Sequence, residues 1–221
     1  DKQSIARILN QLGMIAYHEG DYDLAQEQYL RSLGILGALS DKLGIALTLH
    51  QLGMLFHARG NYAEAGEYYT RSLTIEEDLG DRRGRAATLH QLAIMQTEQG
   101  DYQAALANYQ RSLELAQEIG DLSAAAAVLH SLGTLAQHQG RDAEAQEHYQ
   151  ASLELYQRLG DKLNIAAIGC GGRAGAILNT AAQTENVVAL CDLDWQRGAS
   201  NLKRYEKAAK YKDFRVMLDK E

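Results

Sequence analysis

The chain has 221 residues, 46% of them hydrophobic, and a formal net charge of -7. This length suits one large or two small domains, and the acidic balance argues against a nucleic-acid partner, which requires a face rich in lysine and arginine. Only two cysteines are present, Cys170 and Cys191, so neither a disulfide framework nor a zinc-binding cysteine pattern is predicted. The sequence contains no signal-peptide pattern and no apolar run long enough to span a membrane, so we expect a cytoplasmic protein without a membrane partner.

A 40-residue unit recurs four times from residue 1 to about residue 160. The same residue types return at fixed positions, as in Leu12, Leu52, Leu92 and Leu132, in Gly20, Gly60, Gly100 and Gly140, and in Tyr29, Tyr69, Tyr109 and Tyr149. A fixed period in this range is typical of a solenoid. We therefore predict four repeats, 1–40, 41–80, 81–120 and 121–160. A second region covers 161–221, because the period ends and the charge balance changes from acidic to slightly basic near Gly160.

Each unit predicts two helices. In the first copy, helix A covers about Ile5–Glu19, with a single buried stripe of apolar or small residues at Ile8, Leu9, Leu12, Gly13 and Ala16. Gly20 ends this helix, since glycine adopts the left-handed cap conformation without a steric penalty. Asp21 is the predicted N-cap of helix B, which runs to about Leu39.

These motifs resemble the tetratricopeptide repeat. The shared motifs are L-G/A in helix A, G-D/N-Y at the turn and A-x-x-x-Y in helix B. The 40-residue form resembles the extended repeats of Pins-type and kinesin-light-chain-type adaptors and of bacterial signalling proteins, and it departs from the usual pattern in having no proline after helix B. The resemblance implies a mainly all-α fold, an α-α superhelix that acts as a scaffold for protein–protein interaction without catalytic residues.

The resemblance also implies that helix A lines a concave groove, which would bind a peptide or partner protein. The groove positions carried over from the repeat are Asn10, His50, His90 and His130, then Gln11, Gln51 and Gln91, then Met14 and Met54. Two interpretations stay open: these side chains bind the ligand, or the histidines are solvated copies left by duplication. If they bind, histidines that are partly protonated near pH 6.5 would favour an acidic or phosphorylated ligand. A carboxylate clamp would need lysine or arginine in these columns, which contain none, and we expect no metal site.

After residue 161 the sequence pattern changes. The apolar run that begins at Leu163 leads into a glycine-rich turn, a helical stretch covers 176–183, and a second apolar run, 186–192, ends in Asp192. Further helical patterns cover 195–209 and 212–220. Strand, glycine turn, helix, strand and acid form the opening of a dinucleotide-binding unit. The candidate cofactor-binding residues are Gly169, Gly171, Ala174 and Asp192.

The segments N-I-A-A-I-G-C-G-G-R, V-V-A-L-C-D-L-D and Y-K-D-F-R-V-M-L-D-K resemble the N-terminus of the glucose–fructose oxidoreductase, inositol dehydrogenase and MocA-like (Gfo/Idh/MocA) family of NAD(P)-dependent dehydrogenases. The resemblance implies a short, partial Rossmann-like β-α-β segment. The family's E-K-P segment with its catalytic lysine and its substrate domain have no counterpart here. We therefore expect no enzyme activity and no cofactor, with NAD(P) as the only candidate ligand of this segment. A dehydrogenase fragment is the alternative function.

The origin of this segment stays open from the sequence. It stands where a fifth repeat would begin, so it is either a cap for the solenoid or an incomplete remnant. A truncated gene, an assembly artefact or a deliberate fusion would each produce such a junction. Because Asp1 already lies inside a repeat, we also expect the chain to be a piece of a longer protein.

Overall fold

The computed structural model describes residues 1–160 and, beyond them, 164–168, 186–191, 203–204 and 209–211. Residues 1–160 form eight helices, two in each repeat, which confirms the mainly all-α repeat fold. The helices are α1 (Lys2–Glu19), α2 (Tyr22–Leu39), α3 (Lys42–Ala58), α4 (Tyr62–Leu79), α5 (Arg82–Glu98), α6 (Tyr102–Glu118), α7 (Leu122–His138) and α8 (Asp142–Gly160). We call α1, α3, α5 and α7 the A helices and the other four the B helices.

Aspartate and glycine set most of the helix ends, as predicted; the exceptions include Ser40 at the end of α2 and Asn61 at the start of α4. The Asp21 carboxylate accepts a hydrogen bond from the Leu24 amide at 3.0 Å and so caps α2. Gly20 ends α1 with φ of 81°, a left-handed conformation that favours glycine. Between the first two repeats, Ser40 adopts φ of 55° at the position where the next repeat has Gly80.

Within each repeat, a tyrosine of the B helix lies directly against a small residue of the A helix. Tyr69 is fully buried, and a Cβ placed on Gly53 would lie 2.5 Å from its ring. A serine of the B helix then donates a hydrogen bond to an A-helix carbonyl at 2.7–2.8 Å in all four repeats. The close approach of the two helices therefore depends on small side chains at this position.

Successive repeats stack through apolar side chains of the next A helix. Leu52 and Leu55 of α3 are fully buried in a cluster with Ala16, Ala25 and Tyr29 of the first repeat. The same positions of α1, which has no preceding repeat in this chain, are exposed. The prediction that Ile8 and Leu12 are buried is therefore wrong, whereas Leu9, Gly13 and Ala16 are buried as expected.

The chain divides into two compact units, residues 1–155 and 156–221. In the second unit, β1 (Asn164–Ile168), β2 (Asn186–Cys191) and β3 (Ala209–Tyr211) form a parallel sheet in the order β1-β2-β3. The strand β3 was not predicted from the sequence; it begins at Ala209, where the helical pattern predicted for about 195–209 ends. The predicted residues Gly169, Gly171, Ala174 and Asp192 lie outside the described residues. The Rossmann-like interpretation of this segment stays a prediction.

Candidate functional site

The A helices place the predicted groove residues on one continuous surface. Residues at positions 7, 10, 11 and 14 of each repeat are spaced three and four apart and so share one side of the helix. Contacts between non-consecutive helices join α1 to α3, α3 to α5 and α5 to α7, as expected for the inner side of a curved stack. We call this surface, positions 7, 10, 11 and 14 of the four A helices, the A-helix face.

Three of the four predicted residues at position 10 are hydrogen-bonded to the next A helix. The Asn10 amide donates to the Thr48 hydroxyl at 2.9 Å. A ring nitrogen of His50 lies 2.9 Å from the Thr88 hydroxyl, and one of His90 lies 2.9 Å from the Ser131 hydroxyl. These bonds join successive repeats, so the side chains have a structural role that neither sequence interpretation included.

In each of these bonds, the residue at position 10 acts as a neutral N–H donor. The Thr48 and Ser131 hydroxyls donate to backbone carbonyls of their own helices, and the Thr88 hydroxyl donates to the Glu76 carboxylate. Each hydroxyl oxygen therefore accepts from the preceding repeat. Because Asn10 performs this role without a titratable group, the bond does not require a charged imidazole.

Burial keeps two of the histidines neutral. It lowers the pKa of His50 and of His90 from 6.5 to about 4, because the interface between repeats excludes the water that would solvate an imidazolium. Each ring also packs against the buried tyrosine of its own repeat, with ring centroids 5.9 and 5.8 Å apart. The hypothesis that these two histidines are partly protonated near pH 6.5 is therefore wrong.

The contact between the second and third repeats also contains a buried acid, Glu76. It is 2% exposed, and its Oε1 accepts from Thr88 and lies 3.0 Å from the Ser72 hydroxyl. Its Oε2 has no hydrogen-bond partner among the described residues. Burial raises the pKa of Glu76 above 4.5, and the nearby Asp81 carboxylate adds to this, while the two hydroxyls and Arg85 oppose it.

The remaining predicted residues differ in exposure. Gln11 and His130 are exposed, and the His130 ring contacts only its own repeat's Tyr149 among the ring pairs of the described residues, with centroids 5.3 Å apart. The half-buried ones are Gln51, Gln91, Met14 and Met54. Both methionines pack against core clusters next to the tyrosine columns. That these residues bind a peptide stays a prediction.

A cleft between α1 and α3 opens on the A-helix face. It has a volume of about 220 Å³ and is lined by Gln3, Arg7, Asn10, Asp41, Leu43 and Leu47, among others. Leu43 and Leu47 are about half exposed, and Arg7 is exposed and forms no ion pair within the part of the chain that the structure describes. The α1/α3 cleft therefore offers apolar surface next to the Arg7 cation, and its carboxylate, Asp41, already accepts hydrogen bonds from the Gly44 amide and the Gln3 side chain.

Arg7, Leu43 and Leu47 were not predicted as site residues, although the sequence contains a signal for them. Position 7 lies one turn before the predicted position 10, and position 3 lies one turn earlier still. At position 7 the four repeats have Arg7, Leu47, Ala87 and Ala127. Position 7 faces outward and varies among the repeats, whereas the neighbouring positions 10 and 11 are nearly constant. This variation distinguishes the α1/α3 cleft from the other contacts between repeats.

Within the described residues, no group of three or more histidine, cysteine, aspartate or glutamate side chains is arranged to hold a metal ion. In the same part of the chain, no helix combines the length and the apolar character that crossing a membrane requires.

Comparisons with known proteins agree with the repeat architecture. Family models of the tetratricopeptide repeat match residues 4–78 and 44–118, and a further one matches 125–159. No curated protein matches the chain.

Two solved structures share the fold. Aspartyl phosphate phosphatase F from Bacillus subtilis is 14% identical, with a TM-score of 0.69 over 73% of this chain and 42% of that one. BtubC (BKLC) from P. vanneervenii is 18% identical, with a TM-score of 0.65 over 100% of this chain and 83% of that one.

The chain thus spans less than half the length of the phosphatase, and identities this low show the fold alone. The family models, in contrast, cover well over half of the sequence, and proteins built from these repeats are generally non-enzymatic interaction scaffolds. The chain belongs to the tetratricopeptide repeat family.

Proposed function

We propose that the chain is a protein-interaction scaffold that binds an extended peptide segment of a partner protein on the A-helix face, anchored in the α1/α3 cleft. The observation that carries this proposal is the combination of half-exposed Leu43 and Leu47 with Arg7 in one cleft. The ligand chemistry that fits is a peptide with an aliphatic side chain next to an acidic one.

The apolar part of the ligand would bind Leu43 and Leu47, which lie one turn apart on α3. Placing an aliphatic side chain between them removes apolar surface of both partners from water, at about 25 cal/mol per Å². At the corresponding positions of α5, Arg83 and Ala87 offer no such surface. This difference favours the first repeat contact as the anchoring site.

The acidic part of the ligand would bind Arg7. A guanidinium forms two parallel hydrogen bonds with a carboxylate, which gives direction as well as attraction. Arg83, on the third A helix, already forms an ion pair with Asp121 at 3.2 Å. Arg7 has no such partner among the described residues, so its donors are available to a ligand.

Selection from a random peptide display library tests the proposal. With the full chain as bait, we expect enriched sequences that place an aliphatic residue within a few positions of aspartate or glutamate. The same selection on the Arg7→Glu variant should lose the acidic preference and keep the aliphatic one, because only the charge next to the cleft has been reversed.

The matched control is Leu30→Glu, which changes an exposed leucine of α2 away from the A-helix face. Its enriched sequences should be the same as those of the unmodified chain. The proposal is wrong if no sequences are enriched, or if Arg7→Glu returns the same acidic peptides as the unmodified chain.

For residues 161–221, dinucleotide binding remains a separate prediction. It is supported by the parallel pairing of β1 with β2, which is how the first two strands of such a unit pair. Titration of the chain with NAD(P), followed by the fluorescence of Trp195, tests it. A saturable change that Asp192→Ala abolishes would support nucleotide binding, and no change at millimolar cofactor would contradict it.

A further inference from the structure

The A-helix face continues for one more turn toward the C-terminal ends of the A helices. Position 18 lies four residues after position 14 and therefore on the same side of each helix. The four repeats have His18, Ala58, Glu98 and His138 there, and all four are exposed. Glu98 thus places a carboxylate on this face in the third repeat.

Two side chains of the second repeat hold Glu98 in place. Its Oε2 lies 2.8 Å from the Nε2 atom of His57 and accepts a longer hydrogen bond, of 3.5 Å, from the Tyr62 hydroxyl. The rings of His57 and Tyr62 pack together, with centroids 5.8 Å apart. The side chain of His57 is 13% exposed, whereas that of Glu98 is 50% exposed. The contact between the repeats therefore orients the carboxylate and leaves it accessible from solvent.

The Glu98 carboxylate has no lysine or arginine partner in the part of the chain that the structure describes. Within that part, only its Oε2 takes part in hydrogen bonds. Asp23 and Asp121, in contrast, pair with Arg59 and Arg83. A carboxylate that is already oriented loses less side-chain entropy when it accepts charge-assisted hydrogen bonds from a cation. The group that complements Glu98 is therefore an ammonium or a guanidinium of a ligand.

His57 holds Glu98 at the expense of a bond inside its own repeat. In the third repeat the buried Tyr109 hydroxyl lies 3.4 Å from that of Thr97, at position 17, and the fourth repeat has a similar bond. In the second repeat position 17 is His57, and the Tyr69 hydroxyl has no hydrogen-bond partner among the described residues. The first repeat shares this defect, but position 18 of the repeat that follows it is an alanine. An unsatisfied buried hydroxyl destabilises the fold, and such local losses are expected where a residue serves function rather than packing.

We propose that Glu98 is a second subsite of the A-helix face, which binds a lysine or arginine side chain of the peptide whose acidic side chain binds Arg7. This inference rests on the proposed function and adds the second charged group of the ligand. Positions 7 and 18 are eleven residues apart in the repeat, which is about 16 Å along a helix axis. An extended peptide advances about 3.5 Å per residue, so its acidic and basic residues are at least about five positions apart. The opposite charges of Arg7 and Glu98 also give the peptide one direction on the face.

The display selection separates this inference from the proposed function. On the full chain, enriched peptides should have lysine or arginine at least about five positions from the acidic residue. On the Glu98→Gln variant the basic preference should disappear while the aliphatic and acidic preferences remain, because glutamine keeps the size of the side chain and removes its charge. Enriched peptides without a basic preference would overturn this inference and leave the proposed function standing. No enrichment at all would overturn both.

A double-mutant cycle with one enriched peptide measures the contact directly by titration calorimetry. Replacing the basic residue of the peptide with alanine should weaken binding to the unmodified chain about fivefold and should have no effect on binding to Glu98→Gln. The Glu98 side chain is half exposed, so this variant should retain the fold, as circular dichroism would verify. Equal losses for the two chains would overturn the inference.

The matched control is Glu114→Gln, which removes the same charge from an exposed position of α6, away from the A-helix face. It should keep the basic preference in the selection and the fivefold loss with the alanine peptide. If Glu114→Gln behaved like Glu98→Gln, the net charge of the acidic chain would select the basic residue, and the assignment of Glu98 would be wrong.

Discussion

The contact between repeats 1 and 2 and the contact between repeats 2 and 3 use the same backbone arrangement for different chemistry. In the first, Asn10 donates to Thr48 and a buried Leu36 lies nearby, next to the open α1/α3 cleft. In the second, His50 donates to Thr88, which donates to the buried Glu76 that takes the place of Leu36. Among these residues, the first contact therefore has no buried titratable side chain, whereas the second has two, His50 and Glu76.

This difference shows which features the fold requires. Both contacts need large apolar side chains and an N–H donor at position 10, but neither needs a charge. Titratable groups in the second contact make its stability depend on pH, and the exposed leucines beside the first make it suitable for binding.

The largest predicted effect concerns the apolar side chains that both contacts bury. Leu52→Ala should lower the free energy of unfolding by about 2–5 kcal/mol, because it leaves a cavity at a fully buried position. Leu12→Ala, in the same column, should change it by about 0.5 kcal/mol or less under dilute conditions, since Leu12 is half exposed. Urea unfolding of both variants measures the difference. Equal losses would mean that position in the stack does not determine burial energy.

The next effect concerns acid sensitivity. A histidine whose folded pKa is below 6.5 contributes stability that is fully present above pH 6.5 and is lost as the pH falls through about 4. Changing His50 and His90 to asparagine, the residue of the first repeat, should remove this loss, on the order of 3 kcal/mol for each histidine by pH 4. Unfolding curves at a series of pH values would show a shallower decline for the double variant. Parallel declines would contradict the predicted depression of the two pKa values.

Glu76 should have the opposite pH dependence. Its folded pKa is raised, so the stability linked to its protonated form is fully present below pH 4.5 and is lost as the pH rises through the folded pKa. Glu76→Leu, which copies Leu36, should therefore stabilise the chain at pH 7 by about 1–3 kcal/mol, the cost of burying an unpaired polar group. The gain should shrink as the pH is lowered toward 4.5. A gain that is constant with pH, or a loss at pH 7, would contradict this assignment.

The smallest effect concerns the turns that precede α3 and α5. Ser40 adopts the left-handed conformation that Gly80 adopts in the next repeat. Ser40→Gly should stabilise the chain by about 0.5–1 kcal/mol, because glycine adopts positive φ without steric cost. Thermal unfolding measures the change, and Gly80→Ser should shift the midpoint in the opposite direction.

Much of the fold could be predicted because the repeat displays it four times. The capping role of Asp21 and the helix end at Gly20 follow from residue type and period alone. The exposure of Ile8 and Leu12 could not be predicted from the pattern within one helix, because it depends on whether another repeat precedes α1. Their spacing is the same as that of buried residues in α3 and α7.

The candidate site was less predictable, because its geometry depends on contacts between repeats. The sequence predicted that Asn10, His50 and His90 share one face of the A helices, which they do. It could not show that their hydrogen bonds are used by the next repeat, nor that burial keeps the imidazoles neutral. Leu43 and Leu47 differ from the other copies in the sequence, but only the cleft between α1 and α3 gives this difference a functional meaning.

Peptide binding in the α1/α3 cleft is tested most directly by titration calorimetry with one peptide enriched by the display selection. Two variants change the same position of the repeat, Leu47→Glu at the first contact and Ala87→Glu at the second, and both side chains are exposed. Leu47→Glu should weaken binding at least about tenfold, since it replaces the apolar wall of the cleft with a charge that repels an acidic ligand. Ala87→Glu should leave the affinity unchanged. Equal affinities for Leu47→Glu and the unmodified chain would show that the peptide binds elsewhere.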